Sequence, residues 1–353
     1  MEKIILNAPS MQATITIGCG ALESRLPSLL SKGKNFLLTD ENVHRLYGEK
    51  LNELFPGVPT FVMSAGEENK NFLTLQNILS AMLKAELKRG STLFAVGGGV
   101  VGDIGGFAAS VYMRGIECVQ IPTTLLAQVD SSVGGKTAID FCGVKNSIGA
   151  FYQPKEVLID PTFLRTLPPR EIKCGLGEIV KYAALSKEIF DLLSGKETSF
   201  TDLAFLQTLI TACVRHKAGV VERDEKECGE RKSLNVGHTT GHAVELSFGL
   251  SHGESVLYGM ALETRIAMEC GACEKEYGKQ LLSIVERALT VEPYEPIKMV
   301  DTSFAERAKS DKKNAKDGEI VLAVAKSKGA WQTLALGYEE YVQALNRAVN
   351  ANA

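Results

Sequence analysis

No uninterrupted apolar run in this chain approaches the ~18 residues that a membrane-spanning helix needs, so a membrane is not an expected partner. Basic blocks are missing too. Lys and Arg number 39 against 42 Asp and Glu, for a net charge of −3, which argues against nucleic acid as a partner. The opening residues, MEKIILNAPS, lack the basic start and long apolar core of a secretory signal, and the expected location is cytoplasmic. Eight cysteines are scattered at 19, 118, 142, 174, 213, 228, 270 and 273, and only Cys270 and Cys273 have a suggestive spacing. A zinc knuckle needs a second such pair, and a redox motif wants a strand before it. Neither condition is met, so small buried thiols in a helical stretch are the expectation. Internal repeats and low-complexity segments are absent.

What remains is an ordinary globular composition, 45% hydrophobic and 23% charged, in 353 residues, enough for about two domains. Residues 1–168 alternate β-rich runs with helical ones. NFLLT (35–39), TFVMS (60–64), STLFAV (91–96), ECVQIP and EVLID read as strands, and TLQNILSAMLKAELK has the spacing of an amphipathic helix. Strands separated by helices imply a parallel sheet covered on both faces. Residues 169–353 are mainly helical, ending in a small hairpin (EIVLAVAKSKGAWQTLALG) and a closing helix (YEEYVQALNRAVN). The Pro168-Pro169 pair marks the boundary. An α/β domain over 1–168 followed by a mainly α-helical domain over 169–353 is expected, with a ligand cleft between them.

Two motifs carry chemistry. Gly97-x-Gly99-x-x-Gly102 follows a strand and opens a helix, the setting in which glycines let a backbone cradle a pyrophosphate at a helix N-terminus. It departs from the dinucleotide fingerprint in following a later strand, and no acidic residue ends a strand about 20 residues on. A tight turn with close helix–sheet packing fits it as well. The second motif is LNVGHTTGHAVE, where His238 and His242 stand one helical turn apart, with His252 ten residues on. Metal ligands, acid–base groups and plain helix residues all fit, and a local reading groups His238, His242 and Glu245 as one ligand set.

Charged residues accumulate beside glycine-rich turns: Arg114 in YMRG, Asp130 and Lys136 in QVDSSVGGKT, Lys145 and Asn146 in GVKNS. Each alone fits an exposed turn. GLGEIVKY is harder to dismiss, because Glu178 and Lys181 share one face of an otherwise apolar helix and need partners or a task there. Lys217, Arg231 and the DKKN run add further charge.

In one order, QVDSSVGGKT, GVKNSIGAFYQP, TLPPRE, LNVGHTTGHAVE, SHGESV and DKK resemble the 3-dehydroquinate synthase family from about Asp40 to Lys313. The resemblance implies an N-terminal Rossmann-like domain and a helical, metal-binding C-terminal domain. It implies one divalent ion, zinc or cobalt, on Glu178, His238 and His252, with His242 facing the substrate. NAD contacts fall on Asp40, Asn42, Glu67, Lys70, Gly98, Gly99, Val100, Asp103, Thr123, Thr124, Lys136, Lys145 and Thr166. Catalytic groups fall on Lys136, Asn146, Lys181, Lys217 and His242, and substrate contacts on Asp130, Arg231, Asn235 and Lys312. Arg114 is similar to an arginine that reaches the substrate phosphate from a partner subunit, which implies a homodimer.

The implied substrate is a small sugar phosphate, 3-deoxy-D-arabino-heptulosonate 7-phosphate. Its carboxylate and phosphate give the converging cations a purpose. The implied reaction oxidises C5, eliminates phosphate, reduces C5, opens the ring and closes it again by an aldol step, with NAD used catalytically. Other sugar-phosphate cyclases share the glycine loop and metal residues but change the substrate-facing set. A non-catalytic relative would have lost the charged substrate residues, which are present here.

Overall fold

The computed structural model describes residues 1–30, 33–195, 199–294, 302–309 and 318–350. The first elements are β1 (Glu2–Asn7), β2 (Gln12–Ile17), α1 (Ala21–Leu30), β3 (Asn35–Asp40), α2 (Glu41–Leu54), β4 (Thr60–Met63), α3 (Phe72–Lys84), β5 (Thr92–Gly97) and α4 (Gly99–Val111). They are followed by β6 (Glu117–Pro122), β7 (Lys136–Phe141), β8 (Val144–Phe151), β9 (Glu156–Ile159), α5 (Pro169–Leu185), α6 (Lys187–Ser194) and α7 (Leu203–Arg223). The chain closes with α8 (His238–Phe248), α9 (His252–Glu269), α10 (Lys275–Leu289), α11 (Thr302–Lys309), β10 (Glu319–Ser327), β11 (Ala330–Gly337) and α12 (Tyr338–Asn350).

Seven strands form one sheet in the order β1-β2-β9-β6-β5-β3-β4. All five strands expected from the sequence are in it. The pairs are parallel except β1 with β2, an antiparallel edge hairpin that was not expected. The inner strands β3, β5, β6 and β9 are buried on both faces because each face has its own helical cover. Phe36, Leu38, Leu93 and Ala95 point into one core with Ile78, Met82 and Ile104 of α3 and α4. Leu37, Phe94 and Val96, one residue out of step, point into the other with Leu22, Leu26 and Val43 of α1 and α2. Topology then selects the working edge. From β3 the chain moves outward to β4, and from β5 it moves the opposite way to β6. The C-terminal ends of β3 and β5 therefore flank a topological switch point, where open α/β sheets bind ligands.

Contacts divide the chain into two compact units: Met1–Leu167 with Leu206–Lys226, and Pro168–Phe205 with Glu227–Ala353. Two consecutive domains had been expected, with residues 206–226 in the second. Instead most of α7 and the turn after it pack in the first unit, where Glu222 accepts from Asn7 N–H at 2.7 Å and Glu225 from Ser10 N–H at 3.0 Å. Helical periodicity shows that α7 is a helix, but it does not say which sheet edge its carboxylates will meet.

The second unit is built on α5, α8 and α9, which cross almost backbone to backbone. A Cβ on Gly253 would lie 1.7 Å from the carbonyl oxygen of Cys174, and one on Gly259 would lie 1.9 Å from that of Gly237. Glu263, 1% exposed on α9, caps the start of α8, accepting from Gly237 N–H at 2.9 Å and Thr240 N–H at 2.8 Å. The Thr240 hydroxyl meets Tyr341 Oη of α12 at 3.0 Å. The expected hairpin and closing helix appear as β10–β11 and α12. For the Cys270–Cys273 pair the expectation needs correction. The α9 helix ends at Glu269 and the chain turns out through Gly271 at φ +69°, so Cys273 is buried but Cys270 is exposed.

Substituting Gly259→Ala or Gly253→Ala drives a methyl group into a neighbouring backbone. Each should lower stability by about 3 kcal/mol or more, whereas Gly90→Ala, with no atom within 4 Å of its added Cβ, should not. Thermal melts of the three variants decide this, and a Gly259→Ala protein as stable as wild type would contradict the crossing.

Candidate functional site

Each helix of that crossing delivers one side chain to a common point. Glu178 stands on α5 beside Gly177, His238 at the start of α8 beside Gly237, and His252 at the start of α9 beside Gly253. Glu178 Oε1 is 3.1 Å from His252 Nε2 and 3.4 Å from His238 Nε2, and all three ligand atoms lie within 4.8 Å of one another. Each imidazole has an acceptor behind it. His238 Nδ1 faces Val236 O at 3.1 Å, and His252 Nδ1 faces Glu245 Oε2 at 3.1 Å. With the hydrogens on Nδ1, both Nε2 lone pairs turn toward the carboxylate.

The electrostatics agree that this point wants positive charge. Burial opposes ionisation of Glu178, but Lys181 and His238 outweigh it and hold the carboxyl well below its usual range. Burial pushes His238 down to about 4. Burial also works against a charged His252, yet Glu178 and Glu245 prevail and raise it to about 9. One carboxylate oxygen and two oriented imidazole nitrogens make a donor set that fits a divalent ion. Three protein ligands with further positions open are the pattern of a catalytic rather than a structural metal.

The local grouping of His238, His242 and Glu245 is not what the structure assembles. His242 is half-buried, its ring 5.5 Å from that of His238 and 6.0 Å from that of His252, while Glu245 stands behind His252. Sequence reasoning missed Glu263 altogether. The signal was available, since GMALETRIA places a lone carboxylate in an apolar helix, the pattern that singled out Glu178. Elsewhere in this unit Lys181 pairs with Glu178, Arg231 is buried, and Asn235 Nδ2 donates to Glu227 at 3.0 Å. Lys312 lies outside the described residues.

In the first unit the glycine loop joins β5 to α4 at the switch point. The first bond of the helix is donated by Gly102 to Gly98 O, so it makes no use of the amides of Gly99 and Val100. Gly97 cannot take a side chain, because its Cβ would meet Val101 Cγ2 at 2.5 Å. Across the switch point, β3 ends in Asp40, which caps α2 by accepting from Val43 N–H at 2.9 Å and sets Asn42 in its first turn. This explains the departure from the dinucleotide fingerprint: an acidic strand end does adjoin the loop, but it precedes the loop in the chain. Thr123 N–H donates to Gly97 O at 2.9 Å, and Thr124 Oγ1 accepts from Ala127 N–H at 3.2 Å.

Lys70 is 3% exposed, with Nζ 2.6 Å from Glu67 Oε1, 3.2 Å from Asp103 Oδ2 and 3.9 Å from Asp140 Oδ1. Lys217 Nζ, also buried, donates to both Asp130 O and Asp130 Oδ2 at 2.8 Å. Thr166 Oγ1 meets Tyr47 Oη at 2.6 Å. Lys136, Lys145 and Asn146 lie exposed on the β7–β8 hairpin, and Arg114 is exposed at a turn where Met113 and Arg114 have φ of +50° and +66°.

Comparison with known proteins divides the chain consecutively, without the return of residues 206–226 to the first unit. Residues 60–174 match the family model of the 3-dehydroquinate synthase N-terminal part, and residues 175–314 that of its C-terminal part. The 3-dehydroquinate synthase of Alkaliphilus metalliredigens is 40% identical over 353 residues, covering 96% of this chain and 97% of that one. That of Clostridium acetobutylicum is 45% identical over 271 residues, covering 74% and 76%. Among solved structures, ValA, a 2-epi-5-epi-valiolone synthase from Streptomyces hygroscopicus with NAD+ and Zn2+ bound, is 28% identical with a TM-score of 0.84 over 96% of both chains. A 2-deoxy-scyllo-inosose synthase complexed with carbaglucose-6-phosphate, NAD+ and Co2+ has a TM-score of 0.85 over 98% of this chain and 99% of its own, and at 23% identity shows the shared fold.

The Lys70 cluster makes a pH prediction. Burial raises the Asp103 carboxyl from 3.8 to about 6, against the pull of Lys70. A folded pKa above the unfolded one means that the folded chain holds the proton more tightly, so this group's contribution to stability falls as pH rises through that interval. Unfolding of wild type and Asp103→Asn at a series of pH values should show the wild type losing stability relative to the variant between 3.8 and about 6. A difference that stays flat or grows with pH would contradict the assignment.

Proposed function

The chain belongs to the 3-dehydroquinate synthase family, and from that premise we propose that it converts 3-deoxy-D-arabino-heptulosonate 7-phosphate to 3-dehydroquinate and phosphate, a step toward aromatic amino acids in the shikimate pathway. The observation that carries this reading is the convergence of Glu178 Oε1 with the Nε2 atoms of His238 and His252 in a chain similar to family members along nearly its whole length. A carboxylate and two imidazoles suit zinc and cobalt alike, and both belong to the proposal. When bound, the ion supplies Lewis acidity toward a substrate hydroxyl, and NAD supplies a reversible two-electron acceptor.

The residues of the chain divide the remaining work. Glu178, buried and ionised, is committed to the ion and is no general base. His242, beside the ligand histidines, is the group placed to exchange protons with substrate. Lys136, Asn146, Lys181 and Lys217 hold the substrate phosphate in the orientation that elimination requires, a positioning effect worth several kcal/mol. Arg114, Asp130, Arg231, Asn235 and Lys312 complete substrate binding. Asp40, Asn42, Glu67, Lys70, Gly98, Gly99, Val100, Asp103, Thr123, Thr124, Lys136, Lys145 and Thr166 take NAD. By likeness to the family, the exposed Arg114 works across a homodimer interface. Eight free cysteines suit a reducing cytoplasm.

The test is phosphate release from the heptulosonate phosphate with trace NAD. Many turnovers per NAD are expected, abolished by a chelator and restored by zinc or cobalt, with His252→Ala failing to recover on metal addition. No release despite measurable NAD binding overturns the reading and directs the search to other cyclase substrates.

A further inference from the structure

The β7–β8 hairpin is irregular at one place. Phe141 pairs with Val144 and Ile139 pairs with Ile148, so Asp140 alone stands opposite residues 145, 146 and 147. A bulge of this kind leaves backbone groups without ladder partners and bends the strand, often beside a working site. Ser147 Oγ donates locally to Val144 O at 3.0 Å, and a second side chain reaches across the bulge. Asp140 Oδ1 accepts from Asn146 N–H at 2.8 Å, and Asn146 adopts a left-handed φ of +51°. Asp140 N–H leaves the hairpin and donates to Lys70 O at 2.7 Å, while the same Oδ1 lies 3.9 Å from Lys70 Nζ. Lys70 in turn is bound to Glu67 and Asp103. A single short carboxylate thus connects the buried ion cluster to the exposed turn that carries Lys145 and Asn146.

We propose that Asp140 is a positioning residue that locks the bulged turn and fixes Asn146 relative to the Lys70 cluster, so that substrate-side and cofactor-side groups keep one geometry. The inference rests on the roles given above to Asn146 and Lys70. Asparagine tolerates the left-handed region better than most side chains, but that region still costs more than an extended backbone, so loss of the anchor lets Asn146 relax. Such a relaxation of Asn146 would carry its side chain away from the position that serves the phosphate. An aspartate serves because its carboxylate reaches a backbone amide across a turn while still facing an ammonium.

A double-mutant cycle separates this role from general support of the fold. Asp140→Ala, Asn146→Ala and the double variant are compared by kcat/KM for phosphate release, with NAD affinity measured alongside. Asp140→Ala should lower kcat/KM about tenfold, and should add less than about twofold when Asn146 is already alanine. Asp140→Asn, whose amide oxygen can accept from the same N–H, should recover most of the loss. Equal factors in both backgrounds, or an Asp140→Ala enzyme of wild-type kcat/KM, would overturn the inference and leave the assigned function standing. An Asn146→Ala enzyme of full activity would remove the premise about Asn146, and the inference with it. If Asp140→Ala does not fold, Asp140→Ser takes its place in the cycle, since its hydroxyl is too short to span the bulge.

Discussion

Everything in the second unit depends on how closely three helices can approach. Gly177, Gly237, Gly253 and Gly259 stand next to the ligand residues or directly beneath them, and the surfaces they leave are backbone against backbone. A Glu and two His side chains are short, so they reach one point only if the helices that bear them nearly touch. The small residues are therefore as much a part of the site as the ligands. Glu263 follows from the same constraint. Two helices that start at a common crossing leave unsatisfied amides in a buried place, and a carboxylate from the neighbouring helix answers two of them.

The ligands are also oriented from outside. Val236 O and Glu245 set the two imidazole tautomers, and Lys181 occupies the far side of Glu178. Each partner spends a hydrogen-bonding capacity that would otherwise compete with a metal ion, and each narrows the rotamer choice of a ligand. Tyr341 extends this support to the last helix through Thr240. Helix α12 thus bears on the metal site without contributing one of its three ligands.

The first unit solves a different problem by different means. Its sheet provides a crevice where the chain reverses direction, and the glycine loop keeps the mouth of that crevice free of side chains. Charge gathers beside the helix that the loop opens: one buried lysine holds Glu67 and Asp103 of α4 and faces Asp140, so acidic groups can be concentrated there without mutual expulsion. The β7–β8 hairpin borrows rigidity from that cluster.

Much of this was legible in the residues. Apolar runs located five of the seven strands, four of them inner strands where burial on both faces leaves nowhere to place polar groups. The prolines at 168 and 169 marked the start of α5, and the C-terminal hairpin and helix were readable from their period. The motif order named the family and the ligand set. By itself, then, the sequence determined most of the helices, five strands of the main sheet and which side chains are available for chemistry, since these follow from local spacing and residue type. Only the tertiary structure decided that α7 packs with the first unit, that Asp40 adjoins the glycine loop from an earlier strand, that Glu245 backs His252 and that Asp140 spans a bulge to Asn146. Those are relations between residues distant in the chain or out of register within a hairpin. They depend on which surfaces meet when the whole chain packs, and no local pattern records that.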